Sequence, residues 1–521
     1  LPPDEPAYCT VESRRGSRLH FALATRGTPD EGSAALEVLL DRQPALLRRF
    51  KLRRKPHVWK LQVPVDREGP VELGFRVRLE DPHGLPLPPA WPPRVSLGSP
   101  RLYLPERLAR RNVLIWISQD SLRADHLGAY GYSRATSPVF DRLARSGVLF
   151  ENAVSVAPWT LPSLASQFTS RHPSFHGLSA LGRLRDASQP TLFSALAQAG
   201  FTVLGVTGNR FVSEEFGTAA GFDALWYAES PADQLNQLAL QSLSEWPGGH
   251  LALFIHHIDP HFPYEPPASH DRFDPGYRGS VDGRNFESVR PGQQRDLAHV
   301  EALYDGEVAF NDEQIGRLLA ALGERGLVER ALLVYSSDHG EEFLDHGGWT
   351  HSRSLYQELL HVPLLIRLPR APARRVAEPV SLVDLAPTVL EFFGVPPPPS
   401  FQGQSLLALA QGQAAEPRDV FAETTLGLDK RHRLAVRRGP LKTILVMPRA
   451  PAEARVLSEE RFDLAADPGE RRPLPPSPAH DALRGAGLSF MAQARGTKAP
   501  PELLPLSPET LEKLRALGYV E

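Results

Sequence analysis

In the stretch APWTLPSLASQFTSRHP, residues 157–173, a threonine is followed two residues later by a proline and then by a run of helical character. Proline suits the first turn of a helix, where its missing N–H has no intrahelical partner to lose. Thr160 therefore stands at a loop-to-helix junction, with its hydroxyl near the free N–H groups of the helix. Two roles fit such a hydroxyl: a helix cap, or an attacking nucleophile. Four more reactive side chains close apolar runs. Asp120 ends NVLIWISQD, His257 lies in HLALFIHHID, and Asp338 and His339 lie in ALLVYSSDHG. A strand-end carboxylate by itself reads equally well as a cap on the next helix.

The runs themselves say what positions these groups. NVLIWISQD, TVLGVTGN, HLALFIHHID and ALLVYSSDHG are nearly continuous apolar segments with polar C-terminal ends, as strands buried on both faces read. Helical segments such as PVFDRLARSG, TLFSALAQAG and DEQIGRLLAALGERG lie between them. The alternation predicts an α/β domain over 109–412, with a mostly parallel central sheet covered by helices on both faces. Functional groups of such sheets collect beyond the carboxyl ends of the strands. That is where Asp120, His257, Asp338 and His339 fall.

The flanks read differently. LHFALAT, HVWKLQVPV and VELGFRVRLE alternate in polarity between proline- and glycine-rich turns, which predicts a β-rich, sandwich-like domain over 1–108. DPHGLPLPPAWPPRVSLGSP reads as an irregular connection into the next unit. RHRLAVRRG, LKTILVMP and SPETLEKLRALGY predict a C-terminal subdomain over 413–521, a small antiparallel sheet with a terminal helix.

Composition excludes several classes. With 521 residues, 41% hydrophobic and 23% charged, the chain can bury the core of two or three globular domains. A net charge of −3 offers no electrostatic reason to bind nucleic acid or a membrane surface. No apolar run reaches the roughly 18 residues of a transmembrane segment. Cys9 is the single cysteine, which removes an intrachain disulfide framework and a cysteine-based zinc site. The first residue is Leu1, so a removed targeting segment and an extracytoplasmic, periplasmic or secreted, location are expected.

Taken in order, ISQDSLRADHLGAYGY, APWTLPSLASQFTSRHP, HHIDPHFPY, SSDHGEEFLDHGGWTHSRSLYQELLHVPLLI and FDLAADPGE closely resemble the sulfatase family, within the alkaline-phosphatase-like superfamily. The resemblance runs from Asn112 to the C-terminal LRALGYV and leaves out the N-terminal β region. It implies displacement at a sulfate or phosphate centre, which requires an activated nucleophile, neutralised oxygens and a protonated leaving group. A divalent cation held by oxygen ligands supports such chemistry. By resemblance Asp120, Asp338 and His339 occupy metal-ligand positions and Thr160 the nucleophile position. His261 in DPHFPY matches a substrate-contacting histidine, and His351 in GWTHSRSLY falls near the lysine that sulfatases set against the sulfate. His257 and His346 are candidates for a second metal site. Arg171 is a candidate phosphate contact or a brace behind the residues that touch the substrate, with a salt bridge as the plain alternative. Arg123 and Asp125 read as braces, and the Glu341-Glu342 pair as a helix cap or solvent-facing charge.

The chain also departs from that family. Sulfatases convert a cysteine or serine in C/S-x-P-S-R to formylglycine, whereas this chain has Thr160-Leu161-Pro162-Ser163-Leu164, so no formylglycine is expected. Gln119-Asp120 stands in place of an acidic pair and Asp338-His339 in place of Asp-Asn. One carboxylate fewer and one imidazole more shift preference from Ca²⁺ towards Mn²⁺ or Zn²⁺. A threonine ester must be resolved by water or by an acceptor alcohol, since it cannot re-form an aldehyde. The expectation is thus a metal-dependent hydrolase of sulfuric or phosphoric/phosphonic esters, with phosphorus esters favoured. A phospho-alcohol headgroup transferase and a non-catalytic binding protein with a degenerate site remain the alternatives. The substrate is expected to be a small-molecule or glycan/lipid ester, and the long polar loop 265–296 reads as a site-covering insertion. Metal identity and oligomeric state stay open.

Overall fold

The computed structural model describes residues 6–14, 17–26, 33–51, 57–81, 94–103, 112–180, 183–184, 189–246, 248–426, 429, 431–448, 455–496, 503–506, 508 and 511–512. Two compact units form: Leu1–Arg111 with Glu245–His250, and Asn112–Ser244 with Leu251–Glu521.

The first unit is antiparallel β. Its strands are β1 (Ala7–Ser13), β2 (Ser17–Arg26), β3 (Ser33–Leu40), β4 (Gln43–Lys51), β5 (His57–Val65), β6 (Gly69–Glu80) and β7 (Arg94–Tyr103). They make two sheets, in the orders β1-β6-β3-β4 and β5-β2-β7. Alternate side chains point to one face of a strand, so Leu36 and Val38 of β3, Phe75 and Val77 of β6, and Leu19 and Phe21 of β2 share one core. RVSLGSP, the end of the segment expected to be an irregular connection, instead belongs to the strand RVSLGSPRLY, paired with β2 from Arg18↔Tyr103 to Arg26↔Arg94. Its place at the edge of its sheet tolerates Pro100, which lacks a ladder donor.

The second unit is built on an eight-stranded sheet. Its strands are β8 (Val113–Gln119), β9 (Val148–Phe150), β10 (Thr202–Thr207), β11 (Ala224–Tyr227), β12 (Leu251–His257), β13 (Ala331–Ser337), β14 (Leu364–Arg367) and β15 (Arg374–Val376). The order is β11-β10-β12-β8-β13-β14-β9-β15, and β14 alone runs against the others. This is the mostly parallel sheet that the buried apolar runs predict. Alternation sends Leu114 and Trp116 to one face and Ile115 and Ile117 to the other. Trp116 meets Phe168, Phe193 and Phe254 at ring separations of 6.1, 6.1 and 5.5 Å. On that face pack α2 (Thr160–Thr169), α3 (Leu192–Gln198) and α6 (Leu385–Phe392). The opposite face carries α1 (Pro138–Ala144), whose Phe140 lies 4.7 Å from the Tyr335 ring. Against α1 lies the long α5 (Gln294–Glu324), which also packs on α4 (Ala232–Ser242).

The register decides where the reactive groups meet. His257 pairs with Gln119 and Gln119 with Ser337, so three neighbouring strands end at the same level. Asp120 N–H then donates to the His257 carbonyl (3.0 Å), and Asp338 N–H to the Gln119 carbonyl (3.1 Å).

Towards the C-terminus, β16 (Val420–Thr424), β17 (Arg431–Arg438), β18 (Leu441–Pro448) and β19 (Ser458–Asp463) form an antiparallel sheet in chain order. Helix α7 (Pro478–Gly496) lies on it, with Leu483, Phe490 and Met491 against Leu434, Val436 and Met447. The approach is close enough at Gly487 that an added Cβ would come within 2.9 Å of Leu445 Cδ1. The expected terminal helix SPETLEKLRALGY falls almost entirely outside the described residues.

Candidate active site

Thr160 is the first residue of α2, and the cap position belongs to Trp159, whose side chain makes no capping bond. The threonine hydroxyl faces the strand ends instead. Its Oγ1 lies 3.4 Å from each carboxylate oxygen of Asp120 and 3.2 Å from His339 Nε2. All three residues are fully buried.

Asp120 is held from several sides. Asn209 Nδ2 donates to Oδ2 (2.7 Å), Ser121 Oγ donates to Oδ1 (3.0 Å), and His256 Nε2 lies 3.3 Å from Oδ2. Burial disfavours its charge, yet the charge of His261 and the hydrogen bond and charge of His256 outweigh burial and hold the carboxyl far below the usual range. Asp338 goes the other way. Burial first, then the charge of Asp120, pushes it well above an ordinary carboxyl. Its Oδ1 accepts from the backbone N–H of Ser121 (3.1 Å) and His339 (2.8 Å). Its buried Oδ2 has no hydrogen-bond partner among the described residues.

These are the marks of a cation site. Two buried carboxylates cannot both ionise at close range without a positive charge between them. The His339 Nδ1–H donates to the Gly340 carbonyl (2.9 Å), which turns the Nε2 lone pair towards the carboxylates, 3.6 Å from Asp120 and 3.5 Å from Asp338. Burial keeps that imidazole neutral, lowering its pKa to about 3. Ligand atoms of Asp120, Asp338 and His339 all lie within 4.8 Å of one another. Two oxygen donors and one neutral imidazole fit a divalent ion between the hard and borderline classes.

Two further histidines adjoin this centre. The His351 ring lies 4.4 Å from His339 and 5.0 Å from His261. His351 Nδ1 is bonded to Glu341 Oε1 (2.8 Å), and Glu341 Oε2 accepts from the Tyr264 hydroxyl (2.8 Å). Burial raises Glu341 to about 7 and lowers His351 to about 3. Glu341 is therefore neither a helix cap nor a solvated charge; it orients His351. His261 Nδ1 is fastened to the Phe262 carbonyl (2.6 Å).

Not every candidate joins the group. His257 bonds Gln119 Nε2 (3.3 Å) and Asn236 Oδ1 (2.9 Å) on the opposite side of the sheet from His256. Strand alternation separates these neighbours, and the sequence reading singled out His257 rather than His256. His346 bonds Glu358 (2.7 Å) and the Glu470 carbonyl (3.1 Å) and stacks on Tyr356 at 3.6 Å. Arg171 donates to Gln189 (3.2 Å). Arg123 braces Asp125 and Asp345, each at 2.8 Å. His256, Asn209, Glu341 and Tyr264 are the additions that the fold makes. Asn209 stands at the polar end of TVLGVTGN, His256 and Tyr264 lie within HHIDPHFPY, and Glu341 reads in sequence as a cap or a solvent-facing charge; burial gives them their other roles.

A family model described as sulfatase matches residues 112–395, and one described as N-sulphoglucosamine sulphohydrolase, C-terminal, matches residues 345–484. Arylsulfatase K of Xenopus laevis is 38% identical over 120 residues, 23% of this chain and 22% of that protein. N-acetylglucosamine-6-O-sulfatase of Bacteroides thetaiotaomicron is 41% identical over 118 residues, 22% of this chain and 21% of that protein. The matched stretch thus spans about a fifth of the length of these two relatives. A solved structure in complex with its substrate D-glucosamine-2-N,6-O-disulfate superposes with TM-score 0.64 at 19% identity, over 75% of this chain and 99% of the other. The phosphonate monoester hydrolase of Agrobacterium radiobacter superposes with TM-score 0.62 at 20% identity, over 76% and 100%. At these identities the two structures speak for the fold.

Proposed function

This chain belongs to the sulfatase family, and we propose that it is a metal-dependent ester hydrolase that attacks with the unmodified hydroxyl of Thr160 and prefers phosphorus esters to sulfate esters. The observation that carries the reading is the placement of Thr160 Oγ1, buried at the start of α2 within 3.2–3.4 Å of His339 and Asp120.

The residues divide the work. Asp120, Asp338 and His339 would hold the divalent ion, Mn²⁺, Zn²⁺ or Ca²⁺, which when bound polarises the ester oxygens and lowers the cost of a threonine alkoxide. Helix α2 fixes the Thr160 hydroxyl, so attack needs little further ordering. Glu341, raised by burial to about 7, donates in its protonated form to His351 Nδ1. The neutral ring therefore carries its proton on Nε2 and gives it to the departing alcohol oxygen as general acid, while Nδ1 takes the Glu341 proton. His261, whose Nδ1–H donates to the Phe262 carbonyl, meets a nonbridging oxygen as a donor through Nε2 when the ring is doubly protonated. No formylglycine enters, because Thr160 is neither the cysteine nor the serine that carries it. Water must then resolve the threonine ester. That step favours phosphorus, for which a hydrolysable protein ester is workable, over sulfur expelled by re-forming an aldehyde.

The test is a panel of nitrophenyl sulfate, phosphate, phosphodiester and phosphonate esters, with each metal added after chelation. Turnover is expected with a phosphorus ester, is lost in Thr160→Ala, and is lost on chelation and regained with metal. Faster turnover of the sulfate than of every phosphorus ester overturns the preference. Undiminished turnover by Thr160→Ala overturns the nucleophile.

A further inference from the structure

Among the groups that hold Asp120, His256 has no part in the chemistry above, and the sheet register explains how it arrives there. On β12 it pairs with Ser118 of β8 on one side and with Thr207 of β10 on the other. Alternation along β8 turns Ser118 and Asp120 to the same face, so the fully buried His256 ring spans both. Its Nδ1 is bonded to the Ser118 hydroxyl (3.1 Å), and its Nε2 lies 3.3 Å from Asp120 Oδ2. Phe254, two residues earlier on the same face, lies parallel to the ring at 6.3 Å.

The two oxygens of Asp120 receive different partners. A carboxylate only accepts, so His256 carries a proton on Nε2 and donates it to Oδ2. Asn209 Nδ2 donates to the same oxygen (2.7 Å). Phe211 N–H donates to Asn209 Oδ1 (2.9 Å), which fixes that amide with its nitrogen towards Asp120. Two nitrogen donors thus occupy Oδ2. Oδ1 takes the Ser121 hydroxyl (3.0 Å) and is the oxygen 3.6 Å from His339 Nε2. The Thr160 hydroxyl is equidistant from both oxygens at 3.4 Å. The ligand atoms that gather within 4.8 Å belong to Asp120, Asp338 and His339, so His256 acts through Asp120.

A carboxylate that offers one oxygen suits an ion with few, short bonds such as Zn²⁺. Ca²⁺ takes roughly six to eight oxygens and accepts carboxylates through both. We propose that His256 is a positioning residue of the ion site: by occupying Oδ2 it leaves Asp120 a one-oxygen ligand through Oδ1 and biases the site towards Zn²⁺ over Ca²⁺. The inference rests on the metal-dependent reading above.

Competition with a chromophoric chelator measures Zn²⁺ and Ca²⁺ binding by the metal-stripped full chain, without turnover. His339→Ala, which lacks a ligand, sets the background from other histidines. His256→Phe keeps a ring beside Phe254 and removes the donor. It should weaken Zn²⁺ binding by roughly 10- to 100-fold, while Ca²⁺ binding is kept or gains. His256→Gln, whose amide nitrogen reaches about as far as Nε2, should restore most of the Zn²⁺ affinity. If His256→Phe shows no cooperative melt, His256→Met removes the same donor with a more adaptable side chain and carries the same expectation. Unchanged Zn²⁺ affinity in the folded variants, an equal loss for both ions, or no recovery with glutamine overturns the role of His256 and leaves the hydrolase reading standing. A parent chain that binds neither ion above the His339→Ala background overturns the ion site itself, and this inference with it.

Discussion

Glu341 shows how much a buried partner can decide about a single residue. Its carboxyl spans His351 Nδ1 and the Tyr264 hydroxyl, both at 2.8 Å. The first bond sets the tautomer and aim of the imidazole. Glu341→Gln keeps the shape but has no proton to pass to His351 Nδ1, so kcat is expected to fall at least roughly tenfold with KM nearly kept. His351→Ala should fall further, by roughly 10²–10⁴ as for loss of a general acid. Steady-state kinetics on a phosphorus ester check both, and a loss confined to KM would assign the pair to ground-state binding. Thr160 teaches the converse. In sequence it fits a cap as well as a nucleophile; in the fold Trp159 holds the cap position and the hydroxyl turns to Asp120 and His339.

The parallel strands form the element that makes the site. β12, β8 and β13 end at one level because His257, Gln119 and Ser337 share register, and a slip of one residue would turn Asp120 and Asp338 to the wrong face. That register is held from beneath by Trp116, packed among Phe168, Phe193 and Phe254. Its indole N–H also donates to Ser336 Oγ on β13 (2.9 Å). Trp116→Ala is expected to cost about 3–5 kcal/mol by cavity formation and to leave a buried hydroxyl short of a partner. Trp116→Phe should cost less. Denaturant unfolding measures both, and a cost below about 1 kcal/mol for the alanine variant would show that the ring cluster is not a keystone.

Across the molecule as a whole, buried histidines tie stability to pH. His172 is buried between the Phe421 and Phe490 rings, 6.0 and 5.1 Å away, and burial lowers its pKa to about 4. In the unfolded chain it titrates near 6.5. Between those values the unfolded state binds the extra proton, so stability is present above about 6.5 and is lost as pH falls. Other buried groups titrate too, so the clean comparison is with His172→Leu. The variant should gain relative to the parent by about 2 kcal/mol from pH 7 to pH 5, read from urea unfolding at both values. A difference independent of pH would remove His172 from the acid response. Much of this was legible in sequence. Continuous apolar runs with polar ends, alternating with helical segments, specified the parallel sheet, and reactive residues closing those runs marked the edge where chemistry collects. Those patterns are local, and strand and helix periodicity report them directly. The edge strand Arg94–Tyr103 was not legible, because its pairing partner lies about seventy residues away and a proline-rich context hides its alternation. Nor were the roles of His256, Glu341 and Tyr264. A carboxylate becomes an orienting group only through burial and through which neighbours the packing admits. Those are properties of the enclosed volume, and only the tertiary structure decided them.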